Sequence, residues 1–409
     1  MKLKAVIAGV GMTPFGRHPA SGLKALGREA VTAALTDAGI PADALEAAWV
    51  GNAAAGVVTG QECIRGQVIL RGMGIGGLPV VNVENACASA STALNQACAM
   101  VTAGCYDCVL ALGVEKLYHE DRRRSFAAFS GAVDVELMAG LLAALEANAA
   151  ARGAGGSGGA GERRSMFMDI YAAAARAHME RYGTTKRHFA AIAAKNSEHG
   201  SLNPRAQFRE RLTVEDVLAA PLVVEPLTRP MCSPIGDGAA AAIVVSERRA
   251  RALGLAKAVR VVASVLCSGW DHGADEPGTV ERAAAEAYRE AGLGPRDLDV
   301  VECHDASAPA ELMAYEALGL CAQGDGKRLV DEGTTRLGGR LPVNPSGGLL
   351  RKGHPVGATG IAQVVELVEQ LQGRAGARQV DGARVGLAHN GGGAIGTDAA
   401  AMCVTILAR

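Results

Sequence analysis

Apolar and polar positions along the chain fall into blocks with alternating strand and helix periods. Ala5–Val10 is an apolar run closed by Gly11 and Pro14, and reads as a first strand. Leu23–Ala38 has apolar residues at helical spacing and is ended by Gly39 and Pro41. Glu46–Gly51 and Val80–Val83 read as short strands. Thr92–Ala103 reads as an alanine-rich helix stopped by Gly104, and Val109–Gly113 as another apolar strand. This alternation predicts a parallel sheet covered by helices. Residues 121–214 break the rhythm. Within them Ala149–Gly161 is Ala, Gly and Ser apart from Arg152, which predicts a mobile loop, flanked by helices over Ile170–Tyr182 and Lys186–His199. The block reads as an insertion into the first α/β unit, which the strand Ala239–Ser246 closes.

The pattern then repeats. Glu29–Asn52 and Arg282–Asp305 align at one offset without a gap, each giving a helix, an Ala-Gly-(Ile/Leu) stop, a turn and a strand. At a slightly different offset Ala90–Ala97 aligns with Ala358–Val365, which sets Cys87 level with His354-Pro355. Two similar halves facing each other would bring these strand–helix junctions to one site, where ligands of such sheets bind.

Composition narrows the function. With 409 residues and 49% hydrophobic content the chain is long enough for two or three structural units. Lys+Arg is 41 against Asp+Glu 42, and aromatics are 3%, so neither a basic surplus nor stacking platforms point to nucleic acid. No apolar run approaches the roughly 20 residues of a membrane helix. The start fits a strand better than a signal peptide, because its apolar part is short and no small-x-small site precedes Pro14. Ten irregularly spaced cysteines read as reduced thiols of a cytoplasmic protein. Cys105-x-x-Cys108 has no second pair and no His pair at metal spacing.

Four stretches carry chemistry. In Val81–Ala93 a strand runs into Cys87 and a helix of small residues follows. The free N–H groups there would favour a thiolate, lowering the pKa from about 8.5 into the roughly 3.5–7.5 range, and would hold an oxyanion. Taken alone, Cys87 reads better as a buried structural thiol, like Cys98. Its partners reverse that reading. In Asn344–Gly360, Gly353 and Pro355 hold His354 in a rigid turn before a helix, placed to take a proton from Cys87. Val300–Leu312 delivers His304 at a strand end, and Val385–Gly393 delivers His389 into a glycine turn. Three histidines suggest zinc, but spacings of 50 and 35 residues leave no close pair, and no metal is expected. The remaining histidines, His178 and His199 among them, read as helix-face or loop residues. Gly72–Gly77 spells G-x-G-x-x-G but precedes a strand, which fails the dinucleotide context.

With these stretches the chain resembles the thiolase superfamily over essentially its whole length, and in particular the sterol-carrier-protein-x type thiolases. The resemblance rests on Cys87 in C-x-S, His304-Asp305, Gly353-His354-Pro355 and His389-Asn390-x-Gly, with support from Lys195-Asn196 through Asn203-Pro204 and Cys232–Ala240. It implies two duplicated α/β halves stacked as a five-layered α/β/α/β/α core with an inserted loop domain. The halves would comprise residues 1–120 with 215–255, and 256–409, around an insertion over 121–214. It implies ping-pong acyl transfer through Cys87 with His354 as base. His304 would bind the thioester oxygen, and the backbone N–H groups of Cys87 and Gly391 would form a second oxyanion hole. The resemblance also implies that Met168 and Ser233 would occupy positions where the family contacts the pantetheine arm. Coenzyme A and its thioesters would be substrates, with no tightly bound cofactor. The protein would be a homodimer or homotetramer, and some relatives use an OB-fold partner. The family's second acid/base cysteine is absent from both usual positions, which hold His389 and Ala306, and His389 would serve instead. Two rivals remain: a retro-aldolase or acyltransferase working with an OB-fold acyl-CoA-presenting partner, and a non-catalytic acyl-CoA or lipid-binding scaffold.

Overall fold

The computed structural model describes residues 3–151, 164–273, 276–396 and 398–409. The strands are β1 (Ala5–Met12), β2 (Ala47–Gly51), β3 (Val80–Val83), β4 (Cys108–Glu115), β5 (Leu222–Val224), β6 (Leu227–Thr228), β7 (Gly238–Ser246), β8 (Val259–Ser268), β9 (Val300–Glu302), β10 (Val385–Gly392) and β11 (Ala401–Ala408). Nine of them form one sheet in the order β3-β2-β4-β7-β1-β8-β11-β10-β9, and β5 pairs with β6.

The expected parallel sheet is half correct. β2 pairs parallel with β3 and β4, and β9 parallel with β10. β7 enters after the 121–214 segment and runs antiparallel to both β4 and β1, and β8 and β11 repeat that reversal. The crossover helices fix the parallel strands; the long return to β7 carries no such constraint. β1 meets β8 through only two residue pairs, Val6↔Arg260 and Ile7↔Val259. The nine-stranded sheet is therefore two smaller sheets joined along this short seam.

The halves repeat each other in detail. Helix Leu23–Ala38 ends at Gly39 (φ 63, ψ 29), and its counterpart Thr279–Ala291 ends at Gly292 (φ 66, ψ 31). Both caps lie in the left-handed region that a Cβ disfavours. A parallel bridge from Val301 to Val343 beside β9 stands where β3 stands beside β2. Between the two sheets lie helices Ser89–Thr102 and Thr359–Leu371. Their apolar residues form one core with those of β1, β2, β8 and β10. Every residue of Thr359–Leu371 is buried, as befits a central helix, and its polar side chains are paired, Glu366 with Arg378 for example. Separate clusters cover the outer face of each sheet, one under helix Leu23–Ala38 and one under helices Thr279–Ala291 and Lys186–Ser201. The layers run helix, sheet, helix pair, sheet, helix. Of the predicted loop Ala149–Gly161, the first three residues close helix Met138–Ala151, and the rest lies outside the described residues.

Candidate active site

The two central helices start at one place. A Cβ on Gly360 would lie 1.9 Å from Ser91 Oγ, so only glycine permits the first turns of Ser89–Thr102 and Thr359–Leu371 to touch. Cys87 sits in the short turn Ala86–Ala88 before the first helix, and His354 in the turn before the second. Ala86 has φ 47, a left-handed conformation in a residue with a Cβ, which costs about 1–3 kcal/mol and is held by its surroundings. One support is β10, whose Gly392 presses so closely that a Cβ would meet Asn85 O at 2.1 Å.

Cys87, His304, His354 and His389 line one cavity of about 380 Å³, together with Gly391, Met168 and Ser233. All seven residues singled out in the sequence are thus brought together. The His304 and His354 rings meet edge to face, centroids 5.1 Å apart. The Cys87 sulfur and nitrogens of these two rings lie within 4.8 Å of one another, and no other such metal-ligand grouping occurs among the described residues. A soft divalent ion fits this set by ligand type, but it would occupy the sulfur lone pair.

Hydrogen bonds assign a tautomer to each histidine. Thr359 Oγ1 donates its one hydrogen to Pro355 O (3.1 Å), so it accepts from His354 Nδ1–H (2.7 Å), and His354 Nε2 is a bare lone pair. His389 Nδ1 accepts from the backbone N–H of His304 (3.2 Å). Its hydrogen is therefore on Nε2, which is buried and has no partner among the described residues. Asn390 Oδ1 accepts from Ser91 Oγ (2.6 Å) and its Nδ2 donates to His304 Nδ1 (2.8 Å), which puts the His304 hydrogen on Nε2 as well. The site thus offers one basic nitrogen and two N–H donors. Burial keeps all three rings neutral: it lowers the pKa of His354 to about 3 and of His389 to about 4. That of His304 is held well below the usual value by burial and then by the other two rings.

The thiol departs from the sequence expectation. Burial pushes Cys87 up to about 12. The N–H of Gly393 and its own N–H favour the thiolate, while the nearby Glu115 carboxylate opposes it. Desolvation outweighs the helix start, so the resting group is a neutral thiol. The N–H beside the sulfur is that of Gly393, whereas Gly391 contributes to the cavity wall. Glu115 accepts from the backbone N–H groups of Ala53 (3.1 Å) and Gly357 (3.0 Å), which locks the His354 turn against β4.

Sequence reasoning missed Thr359, Asn390, Gly393 and Tyr171. Asn390 adjoins a singled-out histidine and was the one most nearly within reach. Below His304 lies a buried polar network. Lys195 pairs with Glu311 and donates to Val343 O (2.8 Å); Asn196 donates to Glu311 (2.6 Å) and to Asp305 (2.9 Å). His178 and His199, read as helix-face residues, are buried in such contacts, His178 with Glu316 and His199 with Asn344 O. Replacing Lys195 by methionine leaves the Glu311 carboxylate buried without its cation. The expected loss is about 3–5 kcal/mol of stability in urea unfolding.

The remaining wall is apolar. Phe126, Phe129 and Phe167 line it, with the alanines of helix Ala308–Ala317 opposite. Helix Met166–Tyr182, started by Ser165 accepting from Phe167 N, supplies Met168 and Tyr171. Among the described residues no helix is long and apolar enough to cross a membrane.

Family models match most of the chain. The thiolase N-terminal domain matches residues 5–248 and the thiolase C-terminal domain-like model residues 277–408. Sterol carrier protein 2 of Oryctolagus cuniculus is 38% identical over 409 residues, covering 96% of this chain and 71% of that protein. Acetyl-CoA acetyltransferase of Methanothermobacter thermautotrophicus is 39% identical over 398 residues, covering 96% of this chain and 97% of that one. A solved structure described as an Ltp2-ChsH2(DUF35) aldolase has a TM-score of 0.77 at 26% identity, over 98% of this chain and 97% of its own.

Proposed function

The chain belongs to the thiolase family and is an acyltransferase of that type, and on this premise we propose that it moves acyl groups between 3-oxoacyl-CoA thioesters and coenzyme A through an acyl-enzyme on Cys87. The observation that carries the reading is the opposed tautomers: a bare imidazole nitrogen near the thiol and two imidazole N–H groups on the same cavity. His354 Nε2 takes the thiol proton as sulfur attacks the 3-oxo carbon. The alkoxide forms beside the N–H groups of Cys87 and Gly393. The carbon–carbon bond then breaks, and the Nε2–H groups of His304 and His389 hold the oxygen of the departing thioester enolate. The enolate carbon takes up a proton, coenzyme A gives up its thiol proton in exchange as it attacks the acyl-enzyme, and His354 returns its proton to the Cys87 sulfur. Each step uses side chains, backbone N–H groups and substrate alone.

The pantetheine arm is placed against Met168 and Ser233, and an apolar acyl chain against Phe126, Phe129 and Phe167. The test is a panel of 3-oxoacyl-CoAs with and without free coenzyme A. Cleavage that requires coenzyme A supports the reading, and no cleavage at any chain length by folded protein removes it. His304→Ala removes one donor and is expected to lower kcat about 10²-fold with little change in Cys87 reactivity towards a small thiol reagent.

Around this core reading we place three features. β3 is an edge strand with Val81 43% exposed, which supports pairing with a second copy in a homodimer or homotetramer. The likeness to a DUF35-containing aldolase assembly supports docking of an acyl-CoA-presenting partner. Ten free thiols fit the cytoplasm and a role in lipid or acyl-CoA metabolism there.

A further inference from the structure

Breaking the bond between C2 and C3 of a 3-oxoacyl-CoA releases an electron pair on C2, which must gain a proton. The incoming coenzyme A thiol must in turn lose one. His354 holds the proton from Cys87 throughout and is not free for either task. His389 lacks the needed lone pair: Nδ1 is taken by the His304 N–H, and giving up Nε2–H would leave an imidazolate. His304 is in the same state through Asn390. Cys232, also on the cavity wall, donates its thiol hydrogen to Thr228 O.

Tyr171 remains. It lines the same cavity from helix Met166–Tyr182, and its hydroxyl has no hydrogen-bond partner among the described residues. We propose that Tyr171 is the second proton carrier of the reaction, giving its hydroxyl proton to C2 of the departing enolate and recovering one from the thiol of coenzyme A. This rests on the acyl-transfer reading above.

The steps balance. Sulfur of Cys87 bonds to C3 as its proton moves to His354 and the C3 carbonyl becomes an alkoxide. The carbonyl reforms, the C2–C3 bond breaks, and C2 takes the Tyr171 proton. The tyrosinate takes the coenzyme A proton, the thiolate attacks the acyl carbonyl, and the Cys87 sulfur leaves and regains its proton from His354. Electrostatics set the order. Burial, then a charge on Cys87, then Asp305 raise the Tyr171 pKa. Acylation leaves a positive imidazolium on His354 in the same cavity, which opposes these effects and favours release of the Tyr171 proton once the enolate has formed.

The test compares Tyr171→Phe with the unaltered protein in two reactions. Cleavage of 3-oxoacyl-CoA is expected to fall about 10²–10³-fold, with matching loss of deuterium incorporation at C2 of the product in D2O. Acylation of Cys87 by a simple acyl-CoA, whose thiolate leaves readily without an acid, is expected to fall less than about tenfold. Difluorotyrosine at position 171, which keeps the hydroxyl and lowers its pKa, is expected to restore cleavage and move its alkaline limb to lower pH. Cleavage by Tyr171→Phe within about threefold of the unaltered protein overturns the proposal. Absence of cleavage by the unaltered protein overturns the acyl-transfer reading instead, so the two failures are distinct.

Discussion

Cys87→Ala abolishes thioester turnover in this account, with kcat falling about 10⁵–10⁶-fold and no covalent acyl group formed. Ala86 is held at φ 47 and β10 presses on the turn through Gly392, so the loop is over-determined and the alanine Cβ leaves it in place. The substitution removes only the sulfur. What remains is a cavity that binds substrate between N–H donors with no nucleophile. Residual rate comes from those donors, and thiol chemistry elsewhere does not substitute, because Cys303 is turned away and holds Asn344 Nδ2 at 3.4 Å, and Cys232 on the cavity wall donates its hydrogen to Thr228 O. Steady-state cleavage of a 3-oxoacyl-CoA, with binding followed separately, checks the result.

His354→Ala is expected to lower kcat/KM about 10³–10⁴-fold, because a neutral thiol pushed up to about 12 cannot attack until a base removes its proton. The pH dependence follows from the same groups. A histidine is competent as a base when neutral, and burial lowers the His354 pKa to about 3. Activity should therefore stay level as pH falls through 6.5, the ordinary histidine value, and drop only as pH approaches about 4. A resting thiolate–imidazolium pair would instead show its acid limb where the thiol titrates. Thr359 belongs to the same argument, since its hydroxyl keeps the His354 hydrogen on Nδ1. A profile with an acid limb at 6.5 would mean that His354 is exposed to water during catalysis.

How far the sequence reached can be judged from particular residues. The repeat was legible because its period is carried by local signals: Gly39 and Gly292 both take the left-handed cap that only such residues accept readily, and both precede a short strand. The meeting of Cys87 with His354 followed from the second offset alone, while the close contact that glycine at 360 permits was visible only in the structure. The hydrogen-bond partners were not legible. Ser91 and Asn390 are 299 positions apart, and Asn390 and His304 are 86 apart, so no periodicity links them. Thr359 lies five residues from His354 but gives no local sign that its hydroxyl accepts from the ring. The direction of the Cys87 shift was missed for a physical reason. A helix start visible in sequence favours the thiolate, while the burial that overrides it depends on β10 and Glu115 arriving from elsewhere. The antiparallel strands β7 and β11 were equally hidden, because strand direction is set by connections whose paths a sequence does not show.

The central claim is that acyl groups pass through a covalent bond to Cys87, and intact-protein mass spectrometry after rapid mixing with an acyl-CoA tests it most directly. The account predicts one acyl increment per chain, located on the peptide containing Cys87, removed by added coenzyme A and absent from Cys87→Ala. A folded protein that binds the acyl-CoA yet never gains that increment, or gains it on another residue, would contradict the account.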